Sequence, residues 1–117
     1  MELLRLKLPW PPSINHYWEQ RGIIRYLSEK AKAFRLETQL AFIRNKHPGF
    51  ADLKPLFVEI MLYPPDKRRR DIDNVLKPLL DAMQHAGVYD DDYQIAHLTV
   101  IRSDEKLNAC EVSIRCL

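Results

Sequence analysis

The chain has 117 residues, 46% of them apolar and 29% charged, with a formal net charge of +2. That size predicts a single domain spanning 1–117 with a core of its own. It excludes a membrane span, since no run of about 18 apolar residues occurs. In MELLRLKLPW the charges of Glu2, Arg5 and Lys7 leave no apolar stretch for a signal peptide, so the expected compartment is the cytoplasm.

Leu4, Leu6 and Leu8 alternate with Arg5 and Lys7 and predict a strand. Pro9, Pro11 and Pro12 open a loop, PWPPSINHYWEQRG, and residues 23–26 predict a short strand. Ser28 is a good helix N-cap. Ala33, Leu36, Leu40 and Ile43 recur at helical spacing, so a helix is expected over 29–46 with that stripe inward. HPGFADLKP carries turn residues. LFVEIMLY, residues 56–63, is β-branched and aromatic and predicts a strand that Pro64 and Pro65 stop.

A second helix is expected over 73–85. Ile72, Val75, Leu76, Leu79, Leu80 and Met83 form its apolar stripe and Gly87 ends it. Pro78 lies just past the positions where a helix best tolerates proline, so an irregular helix start is expected. Residues 94–102 and 109–116 predict two more strands. The order β, loop, α, β, α, β, β implies an α+β domain, a mixed four- to five-stranded sheet with two main helices. Cys110 and Cys116 are six apart in one predicted strand, about 20 Å at ~3.3 Å per residue. A disulfide needs Cα atoms within about 7 Å, so both thiols are expected reduced. Neither they nor His47, His85 and His97 have zinc-ligand spacing.

Residues 66–92, DKRRRDIDNVLKPLLDAMQHAGVYDDD, concentrate the charge. They hold seven acids and five bases, net −2, against a net +4 for the rest of the chain. Asp73, Lys77 and Asp81 are four apart and share the polar side of the second helix. Asp71 converges with Asp73 if Asp71 is still extended where the helix begins. The helix start also carries partial positive charge that favours anions. Three or more carboxylates meeting there suit Mg²⁺, whose chemistry beside phosphate is phosphoryl transfer or phosphodiester hydrolysis. Lys77 would neutralise charge developing on the phosphate. Lys67, Arg68, Arg69 and Arg70 would hold flanking phosphates.

Each feature also has an ordinary structural explanation. D-x-D is a common helix cap, KRRR a solvated loop, Lys77 and Asp81 a surface pair, and DDD a turn. Their conjunction in one segment is what favours a metal-dependent nuclease.

At this point the residues resemble a known family. RRRDIDNVLKPLLDAMQHAGVYDDDYQI is similar to the signature of the RusA-type Holliday junction resolvases. LPWPPSINHYW resembles that family's opening, L-P-x-P-P-S-x-N. The blocks lie in the family's order, and the resemblance covers nearly the whole chain. It implies a homodimer that cuts four-way DNA junctions, in recombination and repair, with Mg²⁺ as cofactor and Mn²⁺ as a substitute. Asp71 and Asp73 match the D-[IL]-D pair, Lys77 the following lysine, Asp92 the acid ahead of the strand, and Asp91 the acid beside it. The resemblance thus implies Asp71, Asp73 and Asp92 as metal ligands with Lys77 assisting. Two departures are the extra acid Asp90, which leaves three candidates at 90–92, and Tyr93 where a small residue is common.

A two-fold junction cut symmetrically calls for two equivalent sites, which a C2 dimer supplies. In the loop, Asn15 matches the family's asparagine and is a candidate near the DNA, and Arg21 and Arg25 are candidate phosphate contacts. His16 reads as a polar turn, and Trp10 and Trp18 as packing residues before base-stacking ones. Two other classes fit the same residues. One is a structure-selective DNA-binding protein without catalysis, its carboxylates acting as caps. The other is a metal-dependent enzyme on RNA or a small phosphate ester.

Overall fold

The computed structural model describes residues 3–117. Met1 and Glu2, the latter counted in the signal-peptide reading, lie outside the described residues. Alternation builds the sheet. Leu4, Leu6 and Leu8 of β1 (Leu4–Pro9), Val58, Ile60 and Leu62 of β4 (Leu56–Tyr63), and Cys110, Val112 and Ile114 of β6 (Ala109–Cys116) are all buried. Side chains two apart share a face, so these nine make one apolar surface. The residues between them, such as Arg5, Lys7, Glu59, Glu111 and Arg115, are exposed on the other face.

The strand order is β1-β6-β4-β5, with β5 at Ile95–Arg102. β6 pairs antiparallel with β1 and β4, while β4 and β5 are parallel. The sheet is therefore mixed, as expected, with four strands. Cys110 and Cys116 are free, and burial pushes the Cys110 thiol up to about 12. Among the described residues, no helix is long and apolar enough to cross a membrane.

Two helices cover the apolar face: α1 (Glu29–Asn45), capped by Ser28, whose Oγ accepts from Ala31 N–H, and α2 (Asp73–Ala86). α2 buries Val75, Pro78, Leu79, Ala82 and Met83, close to the expected stripe. Gly87 ends it in the left-handed region at φ 88°. There its own N–H bonds Gln84 C=O and the Val88 N–H bonds Met83 C=O, a Schellman closure that a side chain would strain. The start is irregular, as Pro78 suggested. It has no side-chain cap, and Asn74 and Val75 N–H reach back three residues, to Asp71 and Ile72 C=O, at 3.2 Å each.

Two expectations fail. α1 does not bury Ala33, Leu36, Leu40 and Ile43 as a stripe; Leu36 and Ile43 are 55% and 61% exposed. The inward residues are Ala31, Phe34 and Thr38. Thr38 is buried because its hydroxyl donates to Phe34 C=O at 2.8 Å, which cancels the polarity that hides it from an apolar count. The 10–22 segment is also not all loop, and the strand predicted at 23–26 does not join the main sheet. After a 3-10 turn at Ile14–His16, β2 (Trp18–Arg21) and β3 (Ile24–Leu27) form a separate hairpin. Its turn uses Gly22 at φ 62°. β2 is exposed throughout, so it carries no burial alternation to predict it.

Candidate active site

β4, α2 and β5 form a β-α-β unit, and the charged segment occupies its connections. After β4, Asp66 organises the basic run. Its carboxylate accepts from Arg70 Nη1 at 2.7 Å, from Arg68 N–H at 2.9 Å, and from the Arg68 guanidinium. The Arg70 hydrogen bond first, then those from Arg68, hold the Asp66 carboxyl well below the usual carboxylate range. Arg70 lies over the Trp10 ring at 6.0 Å, and Arg102, at the end of β5, donates to Arg70 C=O at 3.0 Å. Arg68 and Arg70 are thus committed to the turn. Lys67 and Arg69 have no ion pair or hydrogen bond among the described residues. They line a cleft of about 400 Å³ with Asp71, Arg102 and Lys106, at the carboxyl ends of the parallel strands β4 and β5. That is where open α/β sheets receive ligands.

The acids divide into two sets. Asp81 accepts from the Tyr17 hydroxyl and from Arg35 Nη2 at 2.6 Å, and Arg35 Nε donates to the Tyr17 oxygen at 3.0 Å. Burial works to raise the Asp81 carboxyl. The hydrogen bonds from Tyr17 and Arg35 and the Arg35 charge outweigh it, and the net shift is downward. Burial first, then the Asp81 carboxylate, pushes the Tyr17 hydroxyl up to about 12. Asp90 Oδ2 accepts from Asp52 N–H at 3.3 Å. Asp91 caps the 3-10 turn Asp92–Gln94, with Oδ1 accepting from Tyr93 N–H at 2.9 Å. These acids, with Asp66, hold the fold together.

Asp71, Asp73 and Asp92 are the other set. Asp71 and Asp73 are exposed, and neither carboxylate has a partner among the described residues. Among the described residues the Asp92 carboxylate pairs only with Lys77, whose Nζ is 3.2 Å from its Oδ2. Asp73 stands in the first turn of α2 and Lys77 one turn on, so Asp92 is brought to the same helix face. The three do not form a ready-made ligand cage. Among the described residues no group of three or more His, Cys, Asp or Glu is disposed to hold a metal. Their chemistry still fits a hard cation: three carboxylates not consumed by the fold.

Gln94 sets the direction of Asp92. Only 2% exposed, it accepts through Oε1 from Asp90 N–H at 2.8 Å and Asp91 N–H at 3.1 Å. Its Nε2 donates to Phe50 and Lys54 C=O. With that turn fixed, Asp92 N–H reaches Gln84 Oε1 at 3.0 Å and its carboxylate reaches Lys77. Sequence reasoning gave Gln94 no role, yet Asp91-x-x-Gln94 has capping-box spacing. It also missed Tyr17 and Arg35, which meet Asp81 from 64 and 46 residues away with no local signal.

In the loop, Asn15 is exposed on the 3-10 turn that packs beside α2, its N–H bonded to Ser13 Oγ. Arg25 lies over the Trp18 ring at 4.6 Å, and Tyr17 meets that ring edge-on. Arg21 is exposed at the hairpin end, and His16 lines a second cleft with Trp10.

Comparison with known proteins completes the picture. The family model for endodeoxyribonuclease RusA matches residues 9–115. The chain belongs to the RusA family. A relative from Enterobacteria phage HK97, named crossover junction endodeoxyribonuclease, is 42% identical over 95 residues, covering 81% of this chain and 78% of its own. The RusA protein of Escherichia coli K12, of the same name, is 32% identical over 102 residues, 87% of this chain and 84% of its own. That of Enterobacteria phage 82 is 31% identical over the same span. The RusA match takes in the proline-rich loop, the basic run, α2 and the acids before β5, so every candidate site residue lies within it.

Proposed function

We propose that this RusA-family chain, like the relatives named crossover junction endodeoxyribonucleases, cuts DNA at junctions, that these are four-way, and that it does so as a homodimer holding Mg²⁺ (or Mn²⁺) on Asp71, Asp73 and Asp92. The supporting observation is the division of the acids. Of the seven acids in 66–92, Asp66, Asp81, Asp90 and Asp91 accept hydrogen bonds that organise the fold, Asp71 and Asp73 have no partner among the described residues, and Asp92 is held by the side chain of Lys77. Bound there, the metal would polarise the phosphodiester and lower the pKa of an attacking water.

The chain's own residues do the rest. Lys77 balances the Asp92 charge in the free protein. With Asp92 engaged as a ligand, the Lys77 ammonium would be free to meet a phosphate oxygen, where charge develops as the bond breaks. Lys67 and Arg69 hold the neighbouring phosphates and position the strand without reading its sequence. Asn15 approaches the same strand from beside α2. Two protomers related by two-fold symmetry offer equivalent sites to the two like strands. Free thiols and a DNA substrate suit the cytoplasm.

The test uses synthetic four-way junctions, end-labelled one strand at a time, with a linear duplex of the same sequence as control. Paired symmetric nicks on the junction, lost in EDTA and in Asp73→Asn, are expected. Normal cutting by a folded Asp73→Asn protein would overturn the ligand assignment. The separation of the three carboxylates favours one second reading, a junction-binding protein without catalysis. Tight binding with no product under Mg²⁺ or Mn²⁺ would establish it.

A further inference from the structure

A cleft of about 700 Å³ adjoins the one beside Asp71 and shares Arg68, Arg69 and Arg70 with it. Its lining takes the apolar rings of Trp10, Pro11 and Pro12 from the loop after β1, and Lys30, Ala33, buried Phe34 and Glu37 from α1. Lys30 and Arg69 are the cations it leaves unpaired among the described residues, since Arg68 and Arg70 are held by Asp66, and Glu37 is the one acid in its lining. Its volume falls in the range of about 300–1,000 Å³ typical of small-ligand pockets.

Its position gives the occupant. Arg69 and Arg70 line this cleft, the cleft beside Asp71, and a third depression of about 310 Å³ that holds both Trp10 and Asp71. The three therefore adjoin one another at Arg69, whose guanidinium has no partner among the described residues. A strand whose phosphate sits on Arg69 lies beside both Asp71 and Trp10, which line one depression with it. Aromatic and proline surfaces beside a cationic track are how single-stranded nucleic acid is held, bases stacking while the cations follow the backbone.

We infer that this cleft takes an unstacked nucleotide from the point of strand exchange, its base against Trp10, Pro11 and Pro12 and its phosphate on Arg69. Glu37, the one acid in the lining, would supply a hydrogen-bond acceptor suited to an exocyclic amino group. Unpaired or strained bases cost least to remove from the stack, so the site favours a junction over a linear duplex. The inference rests on the junction-cutting reading above.

The experiment is a cycle between protein and DNA, read as binding in EDTA so that cleavage does not enter. Junctions carry a single abasic nucleotide at each position around the exchange point in turn. One position is expected to weaken binding of the unaltered protein about tenfold or more. Trp10→Ala is expected to weaken binding of the intact junction similarly and to show no further loss with that abasic junction. Trp10 also packs on the core, so Ala33→Phe, which fills the cleft from an exposed helix position, is the second variant. It is expected to abolish the abasic effect while melting like the unaltered chain. Losses that simply add, or no abasic position with any effect, would overturn the inference. A protein that binds duplex as well as junction would instead defeat the junction reading itself.

Discussion

Lys77 Nζ and Asp92 Oδ2 lie 3.2 Å apart, joining the second turn of α2 to the 3-10 turn before β5. The pair is solvent-exposed on the lysine side, at 65% for the Lys77 side chain against 32% for Asp92. Such pairs contribute about 0–1 kcal/mol to stability, so a structural role predicts little from its loss. The proposed catalytic role predicts much. Lys77→Met is expected to leave the melting temperature nearly unchanged and junction binding within a few-fold. It is expected to cut about 10²–10³-fold more slowly, the loss typical of a transition-state donor. Single-turnover cleavage with a parallel binding titration measures both.

The acids at 90–92 separate by the same reasoning. Asp92→Asn removes a proposed ligand that the fold does not need, so cutting should fall to background with stability retained. Asp91→Ala removes a cap and is expected to cost about 1 kcal/mol, with cutting retained. Gln94→Leu removes the partner of four backbone groups, one in a buried hydrogen bond and three in partly buried ones. It is expected to cost about 2–4 kcal/mol and to slow cutting as well, because Asp92 loses its support. Urea unfolding beside cleavage assays distinguishes the three variants.

Arg35 and Asp81 form the pair that ties α1 to α2, with Tyr17 hydrogen-bonded to both. Breaking a fully buried pair costs about 3–5 kcal/mol. Here the side chains are 19% and 35% exposed, and solvent screening lowers the expected cost of Arg35→Met to about 1–3 kcal/mol. In the folded protein the Asp81 carboxyl lies below its ordinary value of 3.8. Its contribution is therefore complete above about pH 4 and is lost as pH falls through the lower, folded value. Tyr17 moves the other way, from 10.0 to about 12, so its contribution is complete below about pH 10 and lost as pH climbs toward 12. Stability measured from pH 2 to 12 should show both flanks, with Asp81→Asn flattening the acid one and Tyr17→Phe the alkaline one.

What the sequence made legible follows from what was local. β1, β4 and β6 each bury alternate residues on one face, so Leu4-Leu6-Leu8 and Cys110-Val112-Ile114 declared themselves. On α1 the same logic chose the wrong stripe, because Thr38 is buried through a hydrogen bond within its own helix. The hairpin at 18–27 had no buried alternation to display. In the site, Asp71, Asp73 and Lys77 were legible because a helix start and one helical turn relate them. The approach of Asp92 to α2 was not, since Gln94 fixes it through carbonyls 44 and 40 residues away. Nor could KRRR show that two of its four cations are held by Asp66.

That last point makes the basic run unequal, and salt dependence exposes the inequality. A cation neutralising one phosphate contributes about one unit to the slope of log affinity against log salt. Arg69→Ala should weaken junction binding and lower that slope by about 1. Arg68→Ala should change it less, because its charge is already met by Asp66. Asp66→Ala is the opposite case. It removes a negative charge and releases Arg68 and Arg70, so binding should tighten at low salt and the slope should steepen. Freed from its anchor, the turn that supports Asp71 also loosens, so the same variant should cut more slowly while binding better. Titrations from 50 to 200 mM salt, each paired with a cleavage time course, test that reversal. Weaker binding by Asp66→Ala would mean that the turn itself, not the free charge, presents the cations to DNA.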